Sequence, residues 1–222
     1  MHLLCIANLI PAEILGPLRE RVRALAWIDG RQTAGWAARE VKRNEQADAG
    51  QATLAALQDE IRARLAAHPL LRLYARPQRI SPPLISRYRI GMRYGRHVDD
   101  ALMGEPAMRT DLAFTLFLSP PDEYDGGELV LEGHDGETPV KLAAGALVLY
   151  ATGQTHRVEE ITRGERLAAV GWIQSYVRDP AQRDILFDLD RTRRALFERD
   201  GESEEFATLS RSSAALLRMW AG

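Results

Sequence analysis

The feature that most limits the fold is a series of short extended segments between Pro77 and Val177, with no helical period among them. They are rich in β-branched and aromatic residues and are separated by turn formers, the pattern of strands. The spacing predicts strands at Arg79–Ile80, Leu84–Tyr94, Asp111–Leu118, Glu128–Leu131, Pro139–Lys141, Ala146–Tyr150, His156–Ile161 and Arg166–Tyr176. Turns are expected at Ser119-Pro120-Pro121, Asp125-Gly126-Gly127, Gly133-His134-Asp135-Gly136, Ala144-Gly145 and Arg163-Gly164-Glu165. A βαβ fold needs helices between its strands. About eight strands without them point instead to a sandwich or a double-sheet jelly roll.

Helices flank this region. Pro11 opens one, with Ile14, Leu18, Val22 and Leu25 on a single stripe, and Trp27-Ile28-Asp29-Gly30 is expected to end it in a turn. Residues 31–48 are polar and weakly patterned, with Ala38 to Lys42 read as extended. A second helix is expected from Ala52 to Ala67, with Leu54, Leu57, Ile61 and Leu65 on one face. After Asp179-Pro180 two more stripes follow: Ile185, Leu189 and Leu196, then Phe206, Leu209, Leu216 and Trp220. The fold class is therefore α+β, mainly β: a jelly roll over 77–178, a helical support region over 1–76 and a helical appendage over 179–222. The apolar faces of the last helices also raise a homo-oligomer.

Composition narrows the function classes. A net charge of −2 and a pI near 6.2, with Lys and Arg spread along the chain, give no sign of the basic face that nucleic acid needs. A lone cysteine, Cys5, suits a reducing compartment. No apolar run approaches the ~20 residues of a membrane span. The apolar start lacks a basic residue ahead of it and is cut by Asn8 and Pro11, unlike a signal peptide. A cytoplasmic protein is expected.

Of the five histidines, His2 is terminal, His68 follows a helix just before Pro69, and His134 lies in a Gly-Asp-Gly turn. His97 and Asp99 differ: two residues apart in a strand, they share a face. His156 opens a strand after the apolar Ala146-Leu147-Val148-Leu149-Tyr150 and can face the barrel interior opposite them. Each residue taken singly fits a structural role. Together, two imidazoles and a carboxylate hold Fe(II) on one octahedral face and leave three positions open. Arg166, ten residues after His156 at the mouth of another apolar strand, is either a snorkelling surface residue or a carboxylate clamp.

Tyr88…Gly91…Tyr94…His97-Val98-Asp99, then His156, then Arg166, resemble the prolyl 4-hydroxylase-like branch of the Fe(II)- and 2-oxoglutarate-dependent dioxygenases. Arg109-Thr110-Asp111-Leu112, Tyr124-Asp125-Gly126-Gly127-Glu128-Leu129, Leu147-Val148-Leu149-Tyr150, His156-Arg157-Val158 and Trp172-Ile173-Gln174-Ser175 are similar to bacterial PKHD-type hydroxylases. The resemblance implies a double-stranded β-helix in which His97, Asp99 and His156 bind iron and Arg166 pairs with the far carboxylate of 2-oxoglutarate. It implies hydroxylation of a C–H bond with succinate and CO₂ as co-products, with L-ascorbate keeping the iron reduced. Tyr88 is a second candidate cosubstrate contact. One departure is Phe117, where some relatives place a tyrosine that contacts 2-oxoglutarate; Thr115 is its candidate substitute.

Two other readings remain at this point. One is a non-catalytic jelly-roll protein that binds or senses metal; the other is a structural sandwich with incidental histidines. The substrate, a small molecule or a peptidyl residue, would be selected by residues 92–96, 102–109 and 31–48.

Overall fold

The computed structural model describes residues 3–222, so His2 lies outside the described residues. Strand β1 (Leu4–Ile6) is followed by helix α1 (Ala12–Arg23), strand β2 (Trp27–Asp29), a 3-10 turn (Gly30–Thr33) and helix α2 (Ala38–Val41). Next come strands β3 (Lys42–Arg43) and β4 (Glu45–Ala47) and helices α3 (Ala52–Ala67) and α4 (Pro69–Ala75). The strand region runs through β5 (Pro77–Ile80), β6 (Leu84–Arg89), β7 (Arg93–His97), β8 (Leu102–Met103), β9 (Met108–Arg109) and β10 (Leu112–Phe117). It continues with β11 (Tyr124–Asp125), β12 (Leu129–Gly133), β13 (Gly136–Val140), β14 (Leu147–Ala151), β15 (His156–Val158) and β16 (Arg163–Ser175). Helices α5 (Pro180–Asp200) and α6 (Glu204–Trp220) come last.

Among the described residues the strands form two main antiparallel sheets. The larger has the order β1-β14-β10-β16-β6-β4-β2, with β5 and β11 also paired to β16; the smaller has the order β13-β12-β15-β7-β3. Their facing sides share one apolar cluster, Ala113, Phe117, Val148 and Tyr150 from the larger sheet against Leu129, Leu131, Val140 and Val158 from the smaller. This is a double-stranded jelly roll, as the strand pattern predicts.

Side-chain alternation divides the large sheet cleanly. Leu112, Phe114 and Leu116 of β10, Leu147 and Leu149 of β14, and Leu167, Ala169 and Ile173 of β16 join the cluster covered by the N-terminal helices. In that cluster lie Leu18 and Val22 of α1 and all four residues of the expected α3 stripe, Leu54, Leu57, Ile61 and Leu65. Burying each such leucine contributes about 2 kcal/mol of transfer free energy. The intervening residues of the same strands, Thr115, Phe117, Tyr150 and Arg166, are left for the barrel interior. One sheet thus has a helix-covered apolar face and an inner face free to carry chemistry.

Several local expectations are corrected. Leu84–Tyr94 is two strands, because Gly91 adopts a φ of 80° and its N–H bonds to Ile161 O at 2.8 Å. The break sends β6 into the larger sheet and β7 into the smaller. Trp27-Ile28-Asp29 is strand β2, paired with β4, rather than a turn. Ala38–Val41 is a helical turn, built from good helix formers, and only Lys42 of that segment is extended. The expected turn at Arg163-Gly164-Glu165 belongs to β16, where Gly164 pairs with Tyr124. Helix α5 turns Arg183, Leu186 and Asp190 inward and leaves Ile185 exposed, one position away from the expected stripe.

Candidate active site

The histidines are brought together by strand register. In the antiparallel pairing of β7 with β15, His97 stands directly opposite His156. They are thus neighbours in one sheet, not residues of facing strands. Asp99 lies just past the end of β7, in a segment held by the Thr110 hydroxyl donating to Asp100 O (2.6 Å) and by Thr110 N–H donating to Ala101 O (3.0 Å). The Asp99 Oδ1 atom is 4.0 Å from His97 Nε2 and 3.9 Å from His156 Nε2. One ligand atom from each residue lies within 4.8 Å of the other two, so the trio can hold a metal ion.

Backbone carbonyls choose the tautomer. His97 Nδ1 lies 2.8 Å from Gly95 O, and His156 Nδ1 lies 2.9 Å from Gln154 O. A carbonyl only accepts, so each Nδ1 carries the proton and each Nε2 keeps its lone pair for a ligand role. Burial, with His156 adding to it, pushes His97 down to about 3, so the ring stays neutral at ordinary pH. Burial also raises Asp99, an effect opposed by His156. The Tyr94 ring stacks on His97 at 3.6 Å between centroids and fixes its plane.

Arg166 is the second feature. It pairs in register with Tyr88 of β6 and is 1% exposed. Among the described residues no carboxylate lies within ion-pair distance of it, and its Nε has no hydrogen-bond partner. The Tyr88 and Phe117 rings flank the guanidinium, each centroid 5.3 Å from its carbon. Gly127 makes room for the stem: a Cβ there would meet Arg166 Cδ at 3.0 Å. A buried guanidinium without an anion costs several kcal/mol, so this one is built to receive a carboxylate.

The triad, Arg166, Tyr88 and Thr115 all line one cavity of about 400 Å³. The five residues singled out from sequence, His97, Asp99, His156, Arg166 and Tyr88, are therefore gathered in one place. Residues of both weakly patterned segments, such as Thr33, Ala38, Leu102 and Met103, line it too. His134 is exposed in the turn between β12 and β13, and His68 sits between α3 and α4, both away from the triad. Sequence reasoning assigned 31–48 to substrate selection but did not single out Lys42 of β3, Gln46 of β4 and Asn44 between them, which line the cavity. Their alternate spacing in a polar stretch was the available signal.

Residues 83–174 match the sequence profile of the 2OG-Fe(II) oxygenase superfamily. A PKHD-type hydroxylase of Maricaulis maris is 52% identical over 219 residues, covering 99% of each chain. One from Synechococcus elongatus is 47% identical, covering 98% of this chain and 99% of its own. Among solved structures, a Pseudomonas putida prolyl-4-hydroxylase is 25% identical with a TM-score of 0.50, covering 78% of this chain and 92% of that one.

Proposed function

The chain belongs to the PKHD-type hydroxylases of the 2OG-Fe(II) oxygenase superfamily, and from that premise we propose that His97, Asp99 and His156 hold its Fe(II) while Arg166 clamps 2-oxoglutarate. The chain is a 2-oxoglutarate-dependent dioxygenase. When bound, the iron and cosubstrate supply O₂ activation coupled to decarboxylation, giving succinate, CO₂ and a hydroxylated substrate.

The observation that carries the assignment of roles is the unpaired, buried Arg166 in the same cavity as the triad. The donor set of two neutral imidazoles and a carboxylate is the one a non-haem Fe(II) centre uses. The Gly95 and Gln154 carbonyls hold both rings with Nε2 available to the centre, so the tautomer a metal needs is already set. Arg166 would hold the far carboxylate of the cosubstrate, and the rings of Tyr88 and Phe117 beside the guanidinium would keep water from that pair. Tyr88 is a second contact for the same end of the cosubstrate, supported by its register opposite Arg166. L-ascorbate, acting on the iron from solution, completes the set of helpers.

The substrate class of this family is small molecules or peptides, and no helix of the described residues is long and apolar enough to cross a membrane. The family match over 83–174 supports residues 77–178 as the catalytic unit, with 1–76 as support and 179–222 as appendage. Exposed Ile185, Phe197 and Met219 on α5 and α6 support a homo-oligomer through those helices. The free, exposed Cys5 supports a reducing, cytoplasmic setting.

The test is succinate formation by anaerobically purified protein given Fe(II), 2-oxoglutarate and then O₂. The reading requires turnover above an Asp99→Ala control and iron bound near one per chain. Absence of both defeats it.

A further inference from the structure

Of the 29 lysines and arginines in the chain, only Lys42 and Lys141 are lysines. Lys141 has an evident structural role, since it donates to Tyr124 O at 2.8 Å and lies 3.8 Å from Glu128. Lys42 is different. It is 4% exposed and lines the cavity that holds the triad and Arg166. Its Nζ donates to Thr33 Oγ1 at 3.0 Å and lies 5.1 Å from the centre of the Tyr94 ring. Among the described residues no carboxylate comes within ion-pair distance, although an ammonium has three hydrogens to place. Burial pushes it down to about 8, and the Asp99 and Asp29 carboxylates, both beyond ion-pair distance, only partly oppose that.

The same stretch of chain presents Asn44 and Gln46 to the cavity at alternate positions. Gln46 is satisfied by Thr33 and by Ser86. Asn44 is 4% exposed and lies beside Tyr88, yet neither atom of its carboxamide makes a hydrogen bond of normal geometry. The fold makes space for that side chain, because residue 30 is glycine: a Cβ there would fall 1.9 Å from Asn44 Oδ1. Two buried cations with no carboxylate in ion-pair contact therefore share one cavity. With Arg166 taking one carboxylate of 2-oxoglutarate, and the metal taking the other end together with Asp99, Lys42 is left without an anion in contact with it. A second molecule can bring one.

We propose that Lys42, with the Asn44 carboxamide lining the same cavity, is the anion subsite for the primary substrate, receiving an oxyacid group borne by the molecule that is hydroxylated. This rests on the assignment of Arg166 to the cosubstrate. The position suits such a role. Lys42 pairs in register with Tyr94, whose ring stacks on His97, so an anion held there anchors a substrate beside the triad. A compact ammonium fits between Thr33 and Tyr94, where a guanidinium fork would be larger and differently directed. Carboxylate and phosphoryl groups share the required chemistry.

With two lysines, the response can be read residue by residue. Protein carrying ¹³C at lysine Cε is loaded with Zn(II), which binds without turnover, and with 2-oxoglutarate. Its two side-chain signals are assigned with Lys141→Arg. Acetate and methyl phosphate are then titrated separately. The expected result is a saturable shift of the Lys42 signal with at least one of them, with Lys141 unmoved. The more effective probe identifies the group. Asn44→Leu is expected to weaken that response about tenfold. The proposal is overturned if 2-oxoglutarate itself moves the Lys42 signal and later anions do not, because Lys42 then belongs to the cosubstrate. It is equally overturned if both lysines drift together without saturation, or if neither moves. Calorimetry on the same samples reports 2-oxoglutarate binding, so failure of the cosubstrate assignment is seen separately.

Discussion

His97 and His156 face each other across two antiparallel strands, and each directs its Nδ1–H to the carbonyl two residues before it in sequence. The same local device, used twice, leaves two Nε2 lone pairs converging with the Asp99 carboxylate. Replacing either histidine by alanine removes a ligand but touches little of the main core. Iron content, measured by elemental analysis after desalting, is expected to fall from near one per chain to below a tenth. The far-ultraviolet circular dichroism is expected to stay unchanged.

Arg166→Leu has two opposite expected effects. Loss of one partner of a charge-assisted pair costs roughly 2–5 kcal/mol of binding, so 2-oxoglutarate affinity is expected to fall by at least ~30-fold. In the absence of ligand the variant loses an unpaired buried cation, so its stability to urea is expected to equal or exceed that of the parent. Calorimetry and urea melts on one pair of proteins check both. A parallel loss of stability and binding would make Arg166 a structural residue.

Gly127→Ala probes the support of the clamp. The residue has a φ of 68°, and an added Cβ would meet Ile161 Cδ1 at 2.4 Å and Arg166 Cδ at 3.0 Å. Left-handed backbone alone costs a side chain about 1–2 kcal/mol. A lower melting temperature is expected, together with a several-fold higher KM for 2-oxoglutarate and unchanged iron content. Gly136→Ala is the control, because it also has a positive φ, 114°, but nothing within 4 Å of its Cβ.

Lys42 imposes a pH dependence whose sign follows from burial. Its ammonium titrates near 8 in the fold, against 10.5 for an ordinary lysine. Below pH 8 it is charged in both folded and unfolded chains, and the fold bears up to about 3 kcal/mol of penalty. Between pH 8 and 10.5 the unfolded chain holds the extra proton, so stability rises with pH in that window. Lys42→Met is therefore expected to exceed the parent in urea stability at pH 7, by a margin that shrinks as pH climbs through the window. Paired melts from pH 7 to 10.5 measure it.

The parts of the site written in strongly patterned strands were legible in the sequence. Short, nearly continuous apolar runs at 112–118, 147–150 and 167–173, bounded by turn formers, located the sheet, and Arg166 directly precedes the last of them while His156 follows the second by a short loop. The break at Gly91 was hidden, because Leu84–Tyr94 is uniformly strand-like and only the pairing partners on each side differ. β2, β3 and β4 were hidden for another reason. They are two or three residues long; β3 and β4 pair with β7 and β6, some forty to fifty residues further along the chain, and β2 pairs with β4. Short polar strands owe their conformation to those distant ladders rather than to local propensity. Lys42 rides on β3 and Asn44 joins it to β4, so the sequence could assign 31–48 to substrate selection without singling out either residue.

Strand β16 bonds to β10, β6, β5 and β11 along its thirteen residues, and Arg166 sits within it. Arg166 pairs with Tyr88 of β6, and along the other side of the strand β10 pairs from Ala168 onward and β11 pairs with Arg163 and Gly164, so the residue is bracketed by paired strand rather than placed at an edge. The histidine pair sits on shorter strands, β7 and β15, of the smaller sheet. In hydrogen exchange the amides around Arg166 should thus be released only with the global transition, and those around His97 and His156 sooner. A partly opened molecule would surrender its metal while its carboxylate clamp remained in place.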